Sequence, residues 1–171
     1  AEGDSWLQFP LLIDDLVDHL VPEFAVACAA KPGDTLANMV FDPKGTEYLA
    51  DLHGLLVERR LPVTAFLFSG AGNDVVGEDA TGVAALSRLV RPYTPDRSLA
   101  WPVETEGLRA TLDFIERAYR RLLTAVEDAF PARHFPHFRT VLHGYDHAPV
   151  RSLPKRDPAR PVWARDWTGA P

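Results

Sequence analysis

Two short motifs carry residue types suited to acyl transfer: Gly3-Asp4-Ser5-Trp6 at the start, and Ser69-Gly70-Ala71-Gly72-Asn73-Asp74 directly after an apolar run. The first offers a serine in a tight turn, the second an asparagine at the end of a strand. A serine hydroxyl attacks a carbonyl only when a neighbouring base takes its proton, and the tetrahedral oxyanion that forms needs N–H donors already aimed at it. Ser5 can supply the hydroxyl and its own N–H. Gly33 can add a second backbone N–H, because a residue without Cβ lets a substrate approach closely. Asn73 can add a neutral side-chain N–H, which donates without the desolvation cost of a charge. Each motif alone has an ordinary reading as a turn or loop. Their order and shared placement point to one oxyanion hole.

The base is the open part of this constellation. His143 and His147 flank the end of a third apolar run, on the edge where Ser5 is expected, and Asp146 could orient a ring nitrogen as the third group of a triad does. The alternative is a hydrogen-bonded histidine at the rim. His134 and His137 fall at the beginning of that run, the wrong edge, while His19 and His53 sit in helical segments. No His, Cys or Asp cluster has the spacing of a zinc or iron site, so neither metal nor cofactor is expected. Cys28 is the single cysteine and reads as a buried thiol.

The elements that must position these residues alternate between two periods. Residues 11–20 repeat apolar positions at 12, 13, 16, 17 and 20, the pattern of a helix with Pro10 in its first turn. Residues 24–30 form a short, almost wholly apolar run that reads as a strand covered on both faces. A helix is expected over 46–60, with Arg59 and Arg60 at its carboxyl end, then a buried strand over 63–68. The longest period, Leu108, Leu112, Ile115, Tyr119, Leu122, Val126 and Phe130, predicts an amphipathic helix over 104–130 with a solvated charged face. Residues 138–143 read as another strand. The tail from 149 to 171, dense in Pro, Arg and Asp with Trp163 and Trp167, reads as an extended arm that the tryptophans anchor. Strands separated by helices predict an α/β fold with a parallel sheet, and sites in such sheets gather beyond the carboxyl ends of the strands. Gly33, Asn73 and His143 fall at or just past such ends.

Composition bounds the alternatives. A chain of 171 residues, 46% of them hydrophobic, fits one domain over 1–171. The formal net charge of −6 and the scattered basic residues argue against a nucleic-acid partner. No apolar stretch reaches the ~20 residues needed to span a bilayer, so a soluble chain is expected. Trp6 and Trp101, like the tail tryptophans, are suited to lining a pocket or to the core.

These motifs resemble those of the SGNH hydrolase superfamily, which includes the GDSL lipases and esterases. Gly3-Asp4-Ser5 is similar to the nucleophile block, Gly33 in Pro32-Gly33-Asp34-Thr35 to the glycine block, and Gly72-Asn73-Asp74 to the asparagine block. His143-Gly144-Tyr145-Asp146 is similar to a segment found in one bacterial branch. The resemblance runs from Gly3 to about Trp163 and implies a three-layer, flavodoxin-like α/β/α fold and hydrolysis of a small-molecule ester through a serine acyl-enzyme. Two family features have no counterpart here: a buried strand before the nucleophile block and an Asp-x-x-His block. The expectation is therefore a domain incomplete at both ends, with an exposed sheet edge or apolar groove and weak activity alone. Self-association, a carboxyl-terminal segment or another chain would then supply the base, unless His143 or His147 does. Two rivals remain: a catalytically degenerate binding module of the same fold, and a flavodoxin-like phosphate or nucleotide binder, which lacks a Walker-type lysine and a G-x-G-x-x-G fingerprint.

Overall fold

The computed structural model describes residues 1–4, 7, 15–44, 46–78, 82–92 and 103–143. Ser5, Trp6, Trp101, Asp146, His147 and the expected arm over 149–171 lie outside the described residues. Among the described residues the chain is a mixed α/β structure around a parallel sheet of β1 (Glu2–Gly3), β2 (Ala65–Ser69) and β3 (Arg139–His143), in that order. Glu2 pairs with Phe68 and Gly3 with Ser69, while Ala65 to Ser69 pair in step with Arg139 to His143.

β1 is also bonded on its other side. Ala1 N donates to Ala27 O at 2.6 Å, and Ala29 N and Lys31 N donate to the carbonyls of Ala1 and Gly3, each at 2.9 Å. Steps of two residues on both chains make this pairing parallel. The spatial order is thus 27–31, β1, β2, β3. The apolar run over 24–30 is not the doubly covered strand its composition predicts: Phe24 is 60% exposed, Cys28 is half-buried, and Ala30 is the buried residue of the run. It lies on the outer side of β1.

α1 (Leu16–Leu20) is capped by Asp15, and the earlier part of the expected helix, residues 11–14 with Pro10, lies outside the described residues. Asp15 has extended backbone, its carboxylate accepts from Asp18 N at 3.0 Å, and Asp18 returns the bond to Asp15 N at 3.1 Å. α2 (Glu47–His53) continues into a π-helical stretch, Gly54–Glu58, in which Arg59 N reaches Gly54 O. Together they fill the predicted helix and bury Tyr48, Leu52 and Leu56, four residues apart on one stripe. α4 (Thr105–Ala129) is the long amphipathic helix, preceded in the chain by the short α3 (Gly72–Val76). It buries Ala118, Leu122 and Val126, whereas Leu112, near its start, is 55% exposed.

The core lies on one face of the sheet. Phe66 and Phe68, alternate residues of β2 and so on the same side, are fully enclosed by side chains of a second π-helical turn (Ala37–Phe41), α2 and α4. Tyr48 stacks on Phe66 at 5.4 Å, and Tyr119 meets Phe68 edge-on at 5.7 Å. Each such phenylalanine contributes about 1.5–3 kcal/mol by leaving water. This packing ties the strand that ends at Ser69 to the helical elements on that face.

Candidate active site

The carboxyl end of β2 is the hub. Ser69 ends the strand with no exposure, and its carbonyl accepts from Asp4 N at 3.3 Å. Gly3 must be a glycine at this crossing, because a Cβ there would come within 2.5 Å of Ser69 O. The chain then turns through Gly70 and Ala71, whose φ of 98° is unusual for a residue with a side chain, into α3, where Asn73 and Asp74 sit in the first turn. Tyr119 holds this turn from α4 by donating its hydroxyl to Gly70 O at 2.9 Å. Burial pushes the Tyr119 phenol above its ordinary range, which keeps it a donor.

The glycine loop is joined to the asparagine loop by two bonds. Asn73 Nδ2 donates to Asp34 O at 2.8 Å, and the Asp74 carboxylate accepts from Leu36 N, also at 2.8 Å. Burial raises the Asp74 carboxyl above its usual range, opposed by the amides of Leu36 and Ala37. Between them, Gly33 adopts φ +85°, a left-handed conformation that glycine takes without cost, and a Cβ there would meet nothing within 4 Å. Backbone conformation therefore requires the glycine, and open space lies beside it.

Sequence reasoning missed Ser69. Its Oγ lies 3.1 Å from His143 Nδ1 and 3.4 Å from Asp4 Oδ1, so one buried hydroxyl connects the ends of all three strands. A polar residue closing an apolar run at a strand end was the available signal. His143 is half-buried at the carboxyl end of β3, where its sequence position predicts it. Of the residues expected to form the site, the structure places Gly33, Asn73 and His143 along this edge. Ser5 follows Asp4 in sequence and, with Asp146 and His147, is outside the described residues.

Glu2, one residue before the Gly3 crossing, is enclosed within β1, and its carboxyl is pushed up to about 7 by burial and by the nearby Asp34. A cavity of about 450 Å³ lies elsewhere, at the amino ends of the strands, lined by Ala1, Ala27, Cys28, Tyr48, Arg59 and Phe66 among others. Among the described residues no group of three or more His, Cys, Asp or Glu side chains is placed to hold a metal ion. Nor is any helix among them long and apolar enough to cross a membrane. Compared with protein-family models, curated proteins and solved structures, the chain has no significant match.

Proposed function

We propose that this chain is a serine ester hydrolase domain of the SGNH type, with Ser5 as nucleophile and the N–H groups of Ser5, Gly33 and Asn73 as the oxyanion hole. The observation that carries this reading is the bond from Asn73 Nδ2 to Asp34 O, which sets the asparagine and glycine motifs side by side. Both lie at the sheet edge where Asp4, the residue before Ser5, is bonded to Ser69. Three motifs far apart in sequence thereby meet at one strand end.

The order of the strands supports the same reading. With residues 27–31 and β2 on opposite sides of β1, chain direction across the sheet reverses at β1, and the motifs lie at the carboxyl ends beside that reversal. Ligand sites of open α/β sheets occupy this crevice, and a first strand flanked by the second and third is the flavodoxin-like order. Right-handed crossovers would put α1 on the face opposite α2 and α4, giving three layers.

In this mechanism Ser5 Oγ attacks the ester carbonyl, the three N–H groups receive the oxyanion, the alcohol departs, and water releases the acid from the acyl-enzyme. A p-nitrophenyl ester of a short acid tests it. Turnover by the wild type and none by Ser5→Ala is expected; equal rates in both contradict it.

A further inference from the structure

Three residues separate the end of β2 from Asn73, and none of them has a polar side chain: Gly70, Ala71 and Gly72. Ala71 holds a φ of 98°, a conformation disfavoured for a residue with Cβ, so the turn does not follow the path its own residues prefer. Contacts from outside must hold it. At Gly70 a Cβ would come within 2.8 Å of Leu36 Cδ2 and 3.0 Å of Met39 Cε, so the backbone is seated directly against those two side chains. The polar contact comes from α4, where the Tyr119 hydroxyl donates to Gly70 O at 2.9 Å.

Tyr119 lies four residues after Ile115 and three before Leu122, on the stripe of α4 that packs against the core. At such a position the ring alone would serve for packing. It meets Phe68 edge-on at 5.7 Å, and Phe68 precedes Ser69 at the end of β2. The ring therefore rests on the strand while the hydroxyl reaches the turn that follows it. Beyond that anchor, Asn73 gives one Nδ2 proton to Asp34 O at 2.8 Å and keeps a second one to donate.

Resting on the hydrolase reading, in which Asn73 donates to the oxyanion, we infer that Tyr119 is a positioning residue: its hydroxyl, through the Gly70 carbonyl, sets where α3 begins and so where Asn73 Nδ2 points. It acts through the turn and not on the substrate. Removing the hydroxyl leaves the ring on Phe68 and frees the turn at its first peptide. A displacement on the order of 1 Å at a group aimed at the transition state costs up to about a hundredfold in rate. Binding of the ground-state ester, which draws less on an oxyanion donor, changes less.

Tyr119→Phe keeps the ring and removes the oxygen. Exchange of the Asn73 side-chain amide protons with water, read by NMR, decides the positioning without substrate. In Tyr119→Phe it is expected to be faster by roughly tenfold or more, with the backbone amides of α2 unchanged. Unchanged exchange at Asn73 in the folded variant, or equal acceleration at Asn73 and throughout α2, overturns the inference. For ester turnover that Asn73→Ala depresses, Tyr119→Phe is expected to lower kcat roughly tenfold to a hundredfold with KM changed by less than about threefold. In the Asn73→Ala background the same substitution is expected to change kcat by less than about twofold, because the group it positions is gone. Equal losses in the two backgrounds, or no loss in either, overturn the positioning role. No ester turnover, or turnover that Asn73→Ala leaves unchanged, contradicts the hydrolase reading instead, and the exchange measurement still decides whether Tyr119 holds Asn73.

Discussion

Asn73 Nδ2 donates to the backbone carbonyl of Asp34 at 2.8 Å, so the asparagine side chain is held by the very loop that presents Gly33. An amide nitrogen has two protons, and this bond fixes the plane in which the second one points. Asn73→Ala is expected to lower kcat for a p-nitrophenyl ester by roughly a hundredfold to a thousandfold, the usual effect of losing one oxyanion donor. It should also cost about 1 kcal/mol of stability through the abandoned Asp34 carbonyl. Steady-state kinetics and urea unfolding read the two effects separately.

Asp74 is the second fastening between the loops. Its carboxylate accepts from Leu36 N, at the entry to the Ala37–Phe41 turn. Asp74→Ala leaves the amide of the buried Leu36 without this acceptor, and a loss of about 1–3 kcal/mol is expected. Denaturant midpoints within error of the wild type would show that water replaces the carboxylate freely.

Ala71 occupies a positive-φ position between two glycines. A side chain there costs on the order of 1–3 kcal/mol, against which Ala71→Gly would set roughly 0.5–1 kcal/mol of added chain entropy and about 0.8 kcal/mol of lost methyl burial. Ala71→Gly is therefore expected to leave the thermal midpoint unchanged or raise it. A drop of several degrees contradicts the strained turn.

Glu2 gives a pH dependence with a definite sign. Its folded carboxyl titrates near 7, above the ordinary 4.5, so the folded state binds the proton more tightly than the unfolded state. Stability should fall as pH rises from about 4.5 to about 7, by at most roughly 3 kcal/mol from this group, and stay lowered above that. Glu2→Gln removes the titrating group. The difference in unfolding free energy between Glu2→Gln and the wild type should grow in the variant's favour from pH 5 to pH 8, and a difference independent of pH contradicts it.

Much of the fold was legible because burial and periodicity coincide. Residues 105–129 and 139–143 match the period and the apolar run read from sequence to within a residue or two. The capping bonds between Asp15 and Asp18 are a detail that apolar spacing does not report. The run at 24–30 misled for a different reason: an apolar composition does not say how far a strand will be covered, and Phe24 is exposed. At the candidate site, Gly33 and Asn73 were visible as motif residues, whereas the role of Ser69 depends on cross-strand register, which no local pattern contains.

Labelling with a fluorophosphonate probe, followed by intact-mass measurement and peptide mapping, tests the central claim most directly. A nucleophile facing an assembled oxyanion hole reacts with a tetrahedral phosphorus centre, and an unactivated surface serine does not. One adduct per chain, mapped to Ser5, absent in Ser5→Ala and slowed in Asn73→Ala, is the expected result. A folded wild-type chain that takes no label, or takes it equally in Ser5→Ala, contradicts the account.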